Sequence, residues 1–364
     1  MLAAVFQGPN NIAIREVPMA TTSNNNNNNK NGDNHAIVKV NACAVCGYDA
    51  RVFRNGHKKV RPPMILGHEL CGEILETVRT QNGNIISAGT RVAVCPLIPC
   101  LDCHYCRNGY YNLCTELNEI GSSLDGGFAQ YVMIPDQITR IGGLVPVPDI
   151  LGDEEAALLE PLACCLNGLS RTGLPAKETP VVIIGDGPIG LLHLQLFKRM
   201  SGARVALVGR VPARLKKASA MGADSVFVSH QESGGGEDTT ILQDILDFTG
   251  SDGAGITVVA TSNPSAFELA TKVAGKNSVI NLFAGMPADQ KFALDPNWLH
   301  YNQISVTGTF SSSPSMLRDA AKIAAERTID LSEIVTHRYS LEEIEKAIQA
   351  TERYYGLRAV INRF

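Results

Sequence analysis

No run of apolar residues in this 364-residue chain approaches the ~20 needed to cross a bilayer. There is no basic block either. The 32 Lys and Arg against 36 Asp and Glu leave a net charge of −4, which argues against nucleic acid and anionic membrane as partners. The opening MLAAVFQGPN lacks a charged segment followed by a long apolar one, so no secretory leader is expected and the cytoplasm is the expected compartment. No internal repeat is apparent. What the chain has is enough apolar material, 45% of its residues, to bury two cores of ordinary size, so two domains are expected.

It also has cysteine in one dense comb. Cys100, Cys103, Cys106 and Cys114 follow the spacing C-x2-C-x2-C-x7-C. Two residues between thiols let successive sulfurs converge on one point, and the seven-residue return supplies the fourth corner of a tetrahedron. Four thiolates make a closed, structural Zn²⁺ site with no position left for water. A disulfide framework is the competing explanation, but it suits small secreted chains rather than this one.

The first 160 residues read as β-rich, with candidate strands Ile12–Val17, Ile37–Ala42, Gly72–Val78 and Arg91–Val94 separated by Gly, Pro and Asn. Between the first two, the asparagine run in residues 21–34 is expected to be a disordered surface loop. From about residue 180 the pattern changes. Apolar strands (Val181–Gly185, Val205–Val208, Ser225–Val228, Ile256–Ala260, Ser278–Phe283, Ile304–Thr309) alternate with helical stretches such as Pro188–Met200, Ala213–Met221 and Thr240–Thr249. That alternation predicts an α/β fold with a parallel sheet covered on both faces. A last strand is expected over Leu357–Asn362.

The first of those apolar strands runs into GDGPIG, where Gly185, Gly187 and Gly190 precede or open a helix with Pro188 and Ile189 between them. Glycines at a strand-to-helix turn let the backbone approach a pyrophosphate held at the helix N-terminus. At the end of the next strand an NAD-binding chain usually carries Asp or Glu for the ribose 2′-hydroxyl. Here ALVGR places Gly209 and Arg210, with Arg214 one helical turn beyond. Without a carboxylate at that point in the sequence, NADP is expected in preference to NAD, since a guanidinium grips a 2′-phosphate.

Outside the comb, the metal-ligand-grade residues in suggestive settings are Cys46 in CAVCGYD, His68 and Glu69 in LGHEL, and Glu160 in LLEPLACC. A catalytic zinc takes three protein ligands and keeps one position open, and Cys46, His68 and one carboxylate satisfy that. Asp49 is placed to fix the tautomer of His68.

At this point the chain resembles the zinc-dependent medium-chain alcohol dehydrogenases, and among them the sorbitol (L-iditol) and threonine dehydrogenase branch. The resemblance is carried end to end by CGYD, GHELCGEI, GTRVAVCPLIPC with the comb, DGGFAQYV, EPLACC, GDGPIG and GLRAVI. It implies a GroES-like catalytic domain (1–160 with 310–364, structural zinc lobe 95–115) and an inserted Rossmann domain at 161–309. It implies two zinc ions per chain, a catalytic one on Cys46, His68 and either Glu69 or Glu160, and a structural one on the comb. A Glu69–Arg358 pair and a homo-oligomer, dimer or tetramer, are also implied. The implied chemistry is reversible oxidation of a secondary alcohol or polyol to the ketone, with hydride passing to NADP or NAD.

Some positions depart from the family pattern. Tyr48 stands where Ser or Thr usually passes the alcohol's proton, and Arg51 replaces a relay histidine although it cannot be deprotonated at working pH. Ser311, in GTFSSSP, replaces an arginine that contacts polyol hydroxyls, so sorbitol itself is not the expected substrate. The alternatives are a zinc-free quinone or enoyl reductase of the same superfamily, and a non-catalytic NADP-binding scaffold or sensor.

Overall fold

The structure, a computed structural model, describes residues 1–19, 35–80, 83–229, 239–250 and 252–364. The asparagine run therefore lies outside the described residues. The chain divides into two units, Met1–Ala163 with Ser311–Phe364, and Cys164–Phe310.

The first unit is built on a seven-stranded sheet. Its main path runs Leu144–Pro146, Arg91–Val94, Glu69–Ile74, Ala36–Ala44, Arg358–Arg363, Val335–Ser340, and Tyr131–Ile134 also pairs with Ala36–Ala44. Apolar alternation in these strands feeds one core that includes Phe6, Leu66, Leu70, Ile74, Phe128 and Ile134. The strand expected over Gly72–Val78 is in fact Glu69–Ile74; Val78 instead pairs with Ile86 in a separate two-stranded piece. The shift has a packing reason. A Cβ on Gly72 would collide with the carbonyl oxygen of Lys39, so glycine lets these two strands close up in the middle of the pairing rather than at its start.

This register places the candidate chemistry. Ala44 lies opposite Glu69 on one side and opposite Val360 on the other, both antiparallel. Cys46 just beyond the end of the central strand, His68 just before one neighbour and Arg358 at the head of the other therefore emerge at the same end of the sheet. The helix Gly47–Asn55 starts immediately after Cys46 and buries Ala50, Val52 and Phe53.

The second unit is a six-stranded sheet, its elements numbered here within the unit: β1 (Pro180–Ile184), β2 (Arg204–Gly209), β3 (Ser225–Val228), β4 (Ala254–Val259), β5 (Ala274–Leu282) and β6 (Ser305–Gly308). All pairings are parallel and the order is β3-β2-β1-β4-β5-β6. Strands such as VVII and VALV are buried throughout, as a sheet covered on both faces requires. Helices α1 (Pro188–Met200), α2 (Pro212–Ala220), α3 (Thr239–Thr249) and α4 (Pro264–Val273) connect β1 through β5 in turn, and the helix Pro296–Asn302 lies between β5 and β6. β5 begins four residues earlier than its apolar pattern indicates, because the polar stretch AGKN already runs as strand.

Candidate active site and metal centres

Cys46, His68 and Glu69 each bring a ligand atom within 4.8 Å of the others. Asp49 organises two of them. Its Oδ2 accepts the backbone N–H of Cys46 at 2.9 Å, and its Oδ1 lies 3.4 Å from Nδ1 of His68, an ion-pair separation without the alignment of a hydrogen bond. Burial disfavours charge on His68, but Asp49 and Cys46 outweigh it and hold its pKa well above the usual imidazole value. The site therefore draws positive charge. Glu69 is 1% exposed, its Oε1 is 3.3 Å from Nη2 of Arg358, and its Oε2 has no hydrogen-bond partner. Arg358 is itself buried and donates from Nη1 to the Val45 carbonyl at 3.0 Å. A buried carboxylate oxygen left unpaired is costly, and a divalent cation between thiol, imidazole and carboxylate would satisfy it. The residues present fit a catalytic zinc. Glu160, in the first turn of the helix Leu159–Thr172, is buried but is not one of the three clustered ligands.

The same end of the sheet carries a hydrogen bond that spacing did not reveal. The helix Gly47–Asn55 and the turn after it bring His57 back to Tyr48, whose hydroxyl lies 3.1 Å from Nδ1 of His57. The tyrosine ring meets both His57 and His68 edge-on, at centroid distances of 5.4 and 5.8 Å. Burial, with help from Glu119, pushes the Tyr48 phenol up to about 12, so it stays protonated. His57 is exposed, and partial burial with Lys59 and Lys58 keeps its pKa below 6.5. Arg51 is exposed. Ser311 heads the second stretch of this unit, half-buried and at φ +54°.

The four comb cysteines also gather within 4.8 Å, on a lobe whose base is the pairing of Leu97–Ile98 with Asn118–Glu119. Cys103 caps the short helix His104–Arg107, so Cys103 and Cys106 are three apart and share a face. The Sγ separations are 3.9 Å for Cys100–Cys106 and 3.5 Å for Cys103–Cys106. Sulfurs around a tetrahedral zinc at 2.3 Å would be about 3.8 Å apart. Backbone N–H groups of Cys103 and Glu116 also point at sulfur, on Cys100 and Cys114, at 3.4 Å each. All ten cysteines are free of disulfides. This set fits a closed zinc site.

In the second unit, Gly185 immediately follows β1 and Gly187 caps α1, with Pro188, Ile189 and Gly190 in its first turn. A Cβ on Gly190 would collide with the Gly185 carbonyl, whereas one on Gly187 would meet nothing within 4 Å. The turn is tight on the inside and open where a pyrophosphate would approach the helix N-terminus. The end of β2 differs from its sequence in one respect. No acidic residue follows Leu207–Gly209, yet a carboxylate stands there: Oδ2 of Asp186 accepts the backbone N–H groups of Arg210 and Val211 at 2.8 and 2.7 Å. The carboxylate missing from the sequence of this strand is thus present at its end, carried by the turn after β1. Arg214 is buried, with Nη1 4.0 Å from Oδ1 of Asp186, and Arg210 is exposed.

A parallel sheet in 3-2-1-4-5-6 order with a glycine turn at the head of its first helix defines a dinucleotide-dependent enzyme class, the oxidoreductases built on a Rossmann unit. Comparison with known proteins narrows this. Residues 32–149 match the alcohol dehydrogenase GroES-like domain and residues 188–326 the zinc-binding dehydrogenase domain. The chain is 30% identical to L-idonate 5-dehydrogenase of Vitis vinifera, over 87% of this chain and 84% of that one. It is 28% identical to sorbitol dehydrogenase of Bacillus subtilis strain 168, over 96% and 93%. A solved structure from Sinorhizobium meliloti 1021, described as a zinc-binding dehydrogenase bound to NADP, superposes with a TM-score of 0.85 at 28% identity, covering 99% of this chain and 98% of that one. The chain belongs to the zinc-type medium-chain alcohol dehydrogenases, near the sorbitol dehydrogenase branch, and is an oxidoreductase. Among the described residues, no helix is long and apolar enough to cross a membrane.

Proposed function

We propose that this enzyme reversibly oxidises a secondary alcohol or polyol to the ketone, using NADP(H) in preference to NAD(H), with one catalytic and one structural zinc per chain. The observation that carries the reading is the cluster of Cys46, His68 and Glu69 with its unpaired, buried Glu69 oxygen. We assign the carboxylate ligand to Glu69 rather than Glu160 on the same ground. Relatives named for sorbitol and L-idonate support a polyhydroxylated substrate. Exposed Arg210 and nearby Arg214 support the coenzyme preference.

When bound, zinc supplies Lewis acidity at the alcohol oxygen and the nicotinamide supplies the hydride acceptor. The chain's own residues hold the metal and move the proton. Asp49 orients His68, and Arg358 holds one oxygen of Glu69 in place. A phenol that stays protonated is a poor base by itself. Tyr48 therefore receives the substrate hydroxyl proton on its oxygen as its own proton passes to Nδ1 of His57, which is exposed to solvent. His57, not Arg51, completes the relay. The comb holds its lobe together and takes no part in the reaction. Ten cysteines without a disulfide suit a reducing cytoplasm, and a homo-oligomer, dimer or tetramer, rests on the family alone.

The test is a panel of polyols and secondary alcohols, run with NADP and with NAD on metal-quantified protein. Coenzyme-dependent oxidation of at least one member is expected. Coenzyme binding without turnover across the panel would refute the reading in favour of a sensor.

A further inference from the structure

β1 and β2 lie side by side, and the turn after β1 sends the Asp186 side chain across to the end of β2. Three observations describe what it does there. First, its Oδ2 takes the backbone N–H groups of Arg210 and Val211, the donors at the mouth of α2. Second, Gly209 is glycine for a steric reason: a Cβ at 209 would collide with the Asp186 side chain. The pair Asp186–Gly209 is thus one unit, in which the space an acidic side chain at 209 would use is filled by an acidic side chain from 186. Third, the nearer guanidinium, Arg214, is buried and sits 4.0 Å from the same carboxylate, so part of its field is already compensated.

Resting on the reading of Cys164–Phe310 as the dinucleotide unit, we propose that Asp186 is the residue that sets coenzyme discrimination, by keeping the NADP preference small and NAD usable. A carboxylate at the end of the second strand accepts a ribose 2′-hydroxyl and repels a 2′-phosphate. Here that group comes from the glycine turn. A 2′-phosphate drawn to Arg210 must share or displace a like charge that holds the two N–H groups it would use. The ribose 2′-hydroxyl of NAD meets an acceptor in the same place. Arg210 and Asp186 pull in opposite directions, and the ratio of the two coenzymes reads their balance.

Asp186→Asn keeps an oxygen for the two N–H groups and removes the charge. Asp186→Ser, a shorter neutral side chain, is the second variant should the first fold poorly. The readouts are kcat/KM for NADP over that for NAD, and equilibrium binding of adenosine 2′,5′-bisphosphate against 5′-AMP, which needs no turnover and no metal. In either variant both ratios should rise about tenfold, through tighter binding of the 2′-phosphorylated partner and weaker binding of the other. Arg210→Ala should move them the opposite way. Ratios that stay within twofold of wild type while both coenzymes bind would overturn the assignment to Asp186 alone. Wild-type enzyme that binds neither coenzyme would overturn the dinucleotide reading on which it rests.

Discussion

His193 offers a stability measurement whose size follows from the structure. It lies on α1, 1% exposed, between Phe197 and Phe283. Its Nδ1 is 2.9 Å from the Ile189 carbonyl, which can only accept, so Nδ1 carries the proton and Nε2 is left as a buried lone pair without a partner. Burial lowers its pKa from 6.5 to about 4. The folded chain therefore refuses a proton that the unfolded chain takes up below 6.5. Stability is unaffected at neutral pH and above, where both states are neutral. It falls as pH drops through 6.5 and levels off below about 4. The full loss is about 3 kcal/mol, and about 2 kcal/mol of it has accrued at pH 5. His193→Leu removes the titration and fills similar space. Urea unfolding at pH 7.5 should find the variant about 1 kcal/mol less stable, the worth of one lost hydrogen bond. At pH 5 the order should reverse, because wild type alone carries the proton penalty. Other titrating groups and loss of zinc act on both proteins and cancel in the difference. A wild-type minus variant difference that stays constant between pH 7.5 and pH 5 would refute the reasoning.

His57→Phe keeps the edge-on ring contact with Tyr48 but removes the proton acceptor. kcat should fall roughly tenfold to a hundredfold, with partial rescue by added imidazole, and the acid limb expected of wild type below pH 6.5 should be absent; identical pH profiles in the two proteins would remove His57 from the relay. Cys103→Ser should empty the lobe of zinc and lower Tm by several degrees while kcat of the surviving folded enzyme changes less than about threefold, because a structural metal contributes folding free energy and no chemistry. A large loss of kcat with Tm unchanged would contradict that role.

Much of this molecule could be read in its sequence where signals are local. The comb is local, since Cys100 to Cys114 must meet within one short lobe whatever surrounds them. The glycine turn is local too, because steric limits at Gly185 and Gly190 act across a few residues. The alternation of VVII, VALV and their helices revealed the parallel sheet. Cys46, His68 and Glu69 could be proposed one by one, but only sheet register brings them together, and the missed start of Glu69–Ile74 shows how little GHELCGEI says about where its strand begins. Two things could not be read at all. His57 reaches Tyr48 because the helix between them ends at Asn55, a geometry that spacing alone does not specify. Asp186 sits in a turn where any side chain is allowed, and its meaning appears only when the neighbouring strand brings Gly209 beneath it. The carboxylate absent from the end of β2 stands there from the turn after β1.

The most direct test of the account is zinc per chain in wild type and in Cys46→Ser, each assayed for coenzyme-dependent alcohol oxidation. Two zinc ions with activity are expected for wild type. For the variant, which should remain folded, one zinc and no measurable turnover are expected. One zinc in both proteins, or turnover that survives the substitution, would contradict the assignment of Cys46, His68 and Glu69 as the catalytic metal site.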